Sequence, residues 1–259
     1  MKKKYLVLLS AVTFLNGCAS SPEPKTQEIP PAVVTRTNLP VKLDGDLDEA
    51  AWQSPPEYEL VRCNNYSNLP QLTAQHVAAD PYEKAVVKFL YDDQYLYVGG
   101  VLSDSDVVAY GEADQDRLFR WGDLLEIFLF SEDGGWNWEF YVVPNNRKSS
   151  FFYPGGGMNG VWYCFSPVHL MKDMKVAARV SGTINDHSDI DKGWNIEMRI
   201  PLREIAAKGI PFVPGHNWRI MAARYNFGAR LNRLQNSTWP KLPVENFHLR
   251  EYYAPVVFR

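Results

Sequence analysis

Short segments with an alternating apolar and polar pattern recur along most of this chain and limit its fold more than any other feature. Turn formers such as DDQ, EDGG and PGGG separate them, as in strands joined by tight turns. Helical pattern is confined to residues 46–53 and 202–209. We therefore predict an all-β chain, an antiparallel β-sandwich of the jelly-roll or immunoglobulin-like type with one or two short helices. The nine predicted strands are 85–92, 95–104, 123–130, 138–144, 149–154, 174–182, 194–202, 217–226 and 252–258.

The N-terminus has the layout of a secretory signal. Three lysines precede an apolar run that is too short to span a bilayer as a helix. The run ends at LNGC, which resembles the lipobox of bacterial lipoproteins, so Cys18 is expected to be acylated and to become the first residue after cleavage. Residues 19–37 are rich in Pro, Ser, Thr and charge, as in an extended tether.

This layout predicts a signal peptide at residues 1–17, a tether at 18–38 and one domain at 39–259. The lipid on Cys18 would anchor the protein in the cell envelope, either in the periplasm or on the cell surface. Without the leader, 24 basic and 30 acidic side chains remain, a formal net charge of −6. Affinity for a polyanion needs a basic surface, so the charge argues against a nucleic-acid partner. We expect a monomer.

Cysteine and histidine usage gives no indication of a metal centre. Cys63 and Cys164 are left open between a disulfide and two buried thiols. The five histidines are scattered, with no second His or Cys at ligand spacing, so neither a metal site nor metal catalysis is predicted. No cofactor is required, although a structural calcium ion in the acidic loops is left open.

Five motifs follow one another along residues 39–259: VKLDGDLDEAAW, VKFLYDDQYLYVGGVLSD, WGDLLEIFLF, GWNIEMRIPLREI and NWRIMAARYNF. Their order resembles that of carbohydrate-binding module family 9 and its lipoprotein relatives, within the wider DOMON-like group of β-sandwiches. The resemblance implies non-catalytic carbohydrate binding that supports carbohydrate catabolism. It also implies that the partner is a mono- or oligosaccharide or a glycan end.

The third motif belongs to RLFRWGDLLEIFLF, residues 117–130, a strand that is apolar on both faces except at Glu126. Sugar recognition requires flat aromatic rings and a few fixed polar groups. The family's sugar site has two facing aromatics and an acidic residue that bonds sugar hydroxyls. The resemblance places the first aromatic at Trp121 and the acidic residue at Glu126, with Asp123 beside them. Glu126 is then expected to face a cleft roofed by aromatic rings.

The family's second aromatic lies in the last loop before the final strand. Trp239 and Phe247 both qualify, and the alignment favours Phe247. The chain departs from the family at Tyr141, where well-known members carry a sugar-binding arginine. The asparagine and glutamine of that site have no clear counterpart, although Asn246 is near.

Arg224 lies on an otherwise apolar strand face and needs an anionic partner, because an unpaired buried charge is very unfavourable. Glu126 and Glu197 are the predicted partners. Two readings stay open for Arg224: an internal ion pair, or part of a polar floor beneath a sugar site.

Two other functions are compatible with such a chain. A glycoside hydrolase would need two carboxylates facing one cleft, whereas Asp123 and Glu126 are three apart on a strand and lie on opposite faces. A haem-binding DOMON-type electron carrier would use axial Met or His, and Met158, Met171, Met174 and His169 are available without a recognisable pairing. Binding without catalysis is the favoured reading.

Overall fold

The structure, a computed structural model, describes residues 28–63, 82–155, 170–231 and 234–259. Thirteen strands in these ranges belong to one hydrogen-bonded sheet. The strands are β1 (Ala32–Arg36), β2 (Tyr58–Glu59), β3 (Val61–Arg62), β4 (Ala85–Tyr91), β5 (Tyr95–Ser103), β6 (Leu124–Ser131), β7 (Trp136–Val142), β8 (Lys148–Tyr153), β9 (Lys175–Ser181), β10 (Gly193–Pro201), β11 (Trp218–Asn226), β12 (Gln235–Trp239) and β13 (Ala254–Phe258).

In the part of the chain that the structure describes, helix is limited to one five-residue α-helix, α1 (Leu202–Ala206), and to 3₁₀ turns at Ala50–Gln53, Leu118–Arg120 and Arg250–Tyr252. The all-β class is confirmed, and each of the nine predicted strands is present with ends shifted by at most two residues. The helical pattern over residues 46–53 forms only the short 3₁₀ turn, and Glu49 just before that turn accepts a hydrogen bond from the backbone N–H of Lys42. Within the described ranges, no helix is long and apolar enough to cross a bilayer.

The main path of the sheet is β8-β7-β6-β11-β13-β1-β4-β5-β10-β9, and the short strands β2, β3 and β12 attach beside it. Neighbouring strands are antiparallel except where β1 lies parallel to β13 and to β4. The strands therefore form one continuous, nearly closed sheet rather than a purely antiparallel arrangement.

Strand β1 corrects the predicted domain boundary. Residues 32–34 pair with β13, whereas Thr35 and Arg36 pair with β4, so this strand joins the two halves of the sheet. Ala32 and Val34 are fully buried. The predicted tether at 18–38 is therefore wrong at its C-terminal end, because residues 32–36 belong to the folded domain that was expected to begin at residue 39.

One apolar core lies between the two halves of the sheet. Alternation along β6 directs Leu125, Ile127 and Leu129 into this core, where they join Phe89 of β4 and Ile196 of β10. Every second residue of β10 also enters this core: Trp194, Ile196, Met198 and Ile200 all belong to the same cluster.

The opening DGDLDEAAW motif is held against the sheet by a buried carboxylate. Glu197 accepts hydrogen bonds from the backbone N–H groups of Asp44 and Gly45 at 2.9 Å and from the Trp52 indole at 3.0 Å. Gly45 has a φ of 85°, and a Cβ there would lie 2.9 Å from the backbone nitrogen of Arg179. Trp52 is fully buried, so its role is structural.

Candidate functional site

The outer face of the half-sheet that contains β6 is covered by the segment between β12 and β13. Phe128, on this face of β6, contacts the rings of Phe247, His248 and Tyr253 at centroid distances of 5.7 to 6.2 Å. This covering layer explains why β6 is apolar on both faces. Glu126 therefore points away from the main core and into a second buried layer.

A cavity of about 400 Å³ opens between the covering segment and the sheet. Its wall contains a row of rings in which Phe119 lies 6.0 Å from Tyr225, and Tyr225 lies 5.4 Å from Phe247 in an edge-on arrangement. Amide, carboxylate and imidazole side chains complete the lining, so the cavity offers both apolar ring faces and hydrogen-bonding atoms to a ligand. The lining residues are Phe119, Tyr225, Leu234, Asn236, Glu245, Asn246, Phe247 and His248.

A buried carboxyl pair, Glu126 and Glu139, belongs to the layer next to this cavity. The two are hydrogen-bonded to each other, and Glu139 also accepts a bond from the Tyr153 hydroxyl at 2.9 Å. The Glu139 carboxylate is 3.5 Å from Nδ1 of His248, which itself lines the cavity. Burial raises the pKa of Glu126 well above its usual range and that of Glu139 to about 8. Glu139 therefore retains its proton at neutral pH.

The structure brings some of the predicted site residues to this region. Phe247 lines the cavity, as does Asn246. Tyr141 and Glu126 lie in the layer beside it, and the Tyr141 ring is 6.3 Å from that of Phe119. The expectation that Glu126 is open to a cleft was wrong, because its exposure is only 1%.

Other predicted residues lie elsewhere. Trp121 is 48% exposed, but the cavity wall is formed by Phe119, two residues earlier in the same turn. Trp239 packs on Tyr58, with ring centroids 3.9 Å apart, and contacts the main core. Asp123 is fully buried, and its carboxylate accepts bonds from the backbone of Val108 and of Phe227, both at 2.7 Å. It therefore holds two loops together at the start of β6.

Arg224 lies on the opposite face of β11 from Tyr225 and is buried. Its partner is Asp104, with Nη2 and Oδ2 2.9 Å apart, so the predicted pairing with Glu126 or Glu197 was wrong. It also donates to the side chain of Asn226 and to the backbone carbonyl of Glu83. Of the two readings, the structure contains the internal ion pair.

Four important residues of the region were missed by sequence reasoning: Phe119, Tyr225, Glu139 and His248. Tyr225 follows from the alternation of β11, because the face opposite Arg224 must point to the other side of the sheet. Phe119 belongs to the sequence RLFR, an apolar pair between two arginines, which is only a weak indication of a binding residue. No local pattern relates His248 to Glu139, which are more than one hundred positions apart.

The remaining predictions concern a metal ion, haem ligands, the cysteines and the lipid anchor, and the structure describes only some of the residues involved. Among the described residues, no group of three or more His, Cys, Asp or Glu side chains is arranged to hold a metal ion. Met171 and Met174 are buried in the main core. Cys63 is a buried free thiol whose pKa burial raises to about 11. Cys18, Met158, Cys164 and His169 lie outside the described residues.

Fold and cavity together define a class: an all-β module with an aromatic-walled cavity on the outer face of its sheet. Solved structures of similar fold are carbohydrate-binding modules and a related protein. One, from Bacteroides uniformis and proposed to bind carbohydrate, has a TM-score of 0.63 and 13% identity, with 88% of this chain and 98% of that chain covered.

Two further structures are of a carbohydrate-binding module of family 9 from Caldicellulosiruptor kristjanssonii. The complex with cellotriose has a TM-score of 0.52, 15% identity and coverage of 88% of this chain and 93% of that one. The complex with glucose has a TM-score of 0.52, 14% identity and coverage of 88% and 95%. The sequence itself matches no family model and no curated protein. The resemblance to family 9 is thus confirmed at the level of fold.

Proposed function

We propose that this protein binds carbohydrate without converting it, at the cavity between Phe119, Tyr225 and Phe247. The observation that carries the proposal is the cavity itself, where three rings stand beside amide, carboxylate and imidazole groups. Rings cover the C–H faces of a pyranose, and fixed polar groups bond its hydroxyls. The ligand is a mono- or oligosaccharide or a glycan end, in keeping with the glucose and cellotriose held by modules of the same fold.

In this proposal the sheet folds into two packed layers, a β-sandwich, and the cavity lies on the outer face of one of them.

The protein is a monomeric lipoprotein, anchored through Cys18 in the cell envelope, where it contributes to carbohydrate catabolism. The sequence LNGC after a basic and apolar leader supports the anchor. Mass spectrometry of the mature N-terminus tests it: an unmodified terminus anywhere in residues 15–25 would contradict the lipid anchor.

Calorimetric titration against a panel of soluble glycans, run beside a reducing-sugar assay, tests the binding proposal. We expect saturable binding of modest affinity and no release of reducing sugar. The panel includes glucose and cello-oligosaccharides because these are the ligands seen in modules of the same fold. Absence of binding to every glycan at millimolar concentration would contradict the proposal.

A glycoside hydrolase remains the second candidate because Glu126 and Glu139 are two carboxyl groups with raised pKa values near the cavity. Their arrangement favours binding instead. Retaining and inverting hydrolases separate their two carboxyl groups by roughly 5 Å or more, so that a sugar or a water fits between them. Glu126 and Glu139 are hydrogen-bonded directly to each other. Turnover that is lost in Glu139→Gln would favour the hydrolase.

A further inference from the structure

The carboxylate that faces the cavity is not the one that the family resemblance selects. Among the described residues that line the cavity, Glu245 carries the only carboxyl group. Glu126, the residue expected to bond sugar hydroxyls, is buried and lies outside this lining. An ionised carboxylate accepts hydrogen bonds on both oxygens and donates none. Glu245 therefore suits a ligand group that brings an O–H or N–H donor.

The side chain of Asn236 holds Glu245 in place. Its Nδ2 donates a hydrogen bond to Oε1 of Glu245. Because a carboxylate only accepts, the amide nitrogen must face Glu245, and the amide oxygen is turned away from it. That oxygen is buried and has no hydrogen-bond partner among the described residues. A buried acceptor without a donor is unfavourable, so this part of the cavity wall also favours a ligand with hydroxyl groups.

Asn236 is itself fixed by the sheet. It lies on β12 directly opposite Tyr225 of β11, so its amide and the Tyr225 ring stand on the same face. The residue is 4% exposed, and its backbone carbonyl accepts a bond from the N–H of Cys63 at 2.8 Å. The pair of Asn236 and Glu245 therefore stands beside the aromatic wall, where the hydroxyls of a pyranose stacked on a ring project from its edge.

We infer that Glu245 determines specificity in this cavity by accepting a hydrogen bond from one hydroxyl of a bound hexose unit, and that Asn236 is the positioning residue that holds Glu245 for it. This inference rests on the proposed function and names the group that distinguishes one sugar from another. A hydrogen bond to a charged group is stronger than one between neutral groups, so the hydroxyl that meets Glu245 contributes more to affinity than the others.

The experiment measures the binding of glucose, galactose and the monodeoxy analogues of each by calorimetric titration. The wild type is compared with Glu245→Gln, which keeps the shape of the side chain and removes its charge. Glu251→Gln is the matched control. Glu251 belongs to the same covering segment, is exposed and lies outside the cavity lining, so its substitution removes an equal charge away from the site. Thermal melts show that each variant is folded.

We expect one deoxy analogue of the bound hexose to bind the wild type about tenfold more weakly than its parent, the effect of losing a hydrogen bond to a charged group. In Glu245→Gln this ratio should fall to about threefold, because a neutral hydrogen bond is roughly half as strong. Glu251→Gln should keep the wild-type ratio. A purely structural role for Glu245 would weaken parent and analogues together and leave the ratio unchanged. That result, or wild-type ratios near one for every analogue, would overturn the inference.

Asn236→Ala tests the positioning role. The substitution removes the donor that holds Glu245, so the ratio for the same analogue should fall as it does in Glu245→Gln. Because Asn236 acts through Glu245, the double variant should have the ratio of Glu245→Gln alone. Independent, additive effects of the two substitutions on that ratio would contradict the positioning role.

Failure of this inference is distinguishable from failure of the proposed function. If Glu245→Gln does not fold, Glu245→Asp takes its place, since the shorter side chain keeps the charge but withdraws it from the ligand, and an unchanged ratio then contradicts the inference. A hexose that binds with the same ratio in every variant overturns only the roles of Glu245 and Asn236. If neither hexose binds, the inference fails, and the glycan panel decides the proposed function separately.

Discussion

At the scale of single residues, Arg224 is the buried cation around which the acidic residues at one end of the sheet are arranged. Asp104 pairs with it directly, and Asp123 lies close enough to Asp104 for the two carboxylates to repel each other. Burial is the first cause that raises the pKa of both carboxyls, and the Arg224 charge opposes it. The guanidinium therefore compensates negative charge that the fold has removed from water.

Arg224→Met tests this role. The change leaves Asp104 buried without its cation, and breaking a buried pair in this way typically costs about 3 to 5 kcal/mol of unfolding free energy. Chemical denaturation measures the loss. Arg203→Met is the matched control, because Arg203 pairs with Asp173 at the exposed surface, where such pairs contribute about 1 kcal/mol or less. Equal effects of the two substitutions would contradict the role given to Arg224.

Glu139 gives the stability of the protein a pH dependence of definite sign. Its folded pKa of about 8 lies above its ordinary value of 4.5, so the folded state holds the proton more tightly than the unfolded chain. This contribution to stability is complete below pH 4.5 and is lost as pH rises through 8. We expect the melting temperature to fall between pH 6 and pH 9, and to fall less in Glu139→Gln. A decline of the same size in both proteins would contradict the assignment.

At the scale of elements, β1 is the strand that joins the two halves of the sheet. Its first three residues pair with β13 and its last two with β4. It is only five residues long and follows two prolines within a stretch that has the composition of a tether. Local composition therefore predicts an extended linker, whereas pairing on both sides, which is not encoded locally, makes it a central strand.

Truncation tests the importance of β1. A chain that begins at residue 28 keeps the strand and should unfold at the same temperature as the full mature protein. A chain that begins at residue 38 exposes the edges of β13 and β4 and loses the buried Ala32 and Val34, so it should aggregate or melt far lower. Circular dichroism melts compare the two. Equal melting temperatures would show that β1 is dispensable.

The longer strands could be predicted because each carries its own alternation, as in β10, where every second residue from Trp194 enters the core. The strands that were missed are short. β2 and β3 have two residues each, and β12 reads QNSTW, a polar sequence that is nevertheless largely buried. The burial of β12 comes from its neighbouring strands and the segment that covers it, which a local pattern does not reveal.

At the scale of the whole molecule, the cavity exists only because distant segments converge. Phe119 precedes β6, Tyr225 lies on β11, Asn236 lies on β12, and Phe247 belongs to the covering segment. Sequence reasoning located Phe247 and the region around Glu126 through a family resemblance. It placed the first aromatic at Trp121 through that resemblance and missed Phe119, two residues earlier, because the direction of a 3₁₀ turn decides which ring faces the cavity.

The central claim is that the cavity lined by Phe119 binds saccharide, and one comparison tests it most directly. Phe119→Ala and Trp121→Ala each remove a ring from the same turn, but only Phe119 lines the cavity. Calorimetric titration with the best-bound sugar of the glycan panel should show a loss of about 1 to 3 kcal/mol for Phe119→Ala, the range of an aromatic anchor. Trp121→Ala should bind as the wild type does. If Trp121→Ala loses affinity while Phe119→Ala keeps it, the sugar binds elsewhere and the account is wrong.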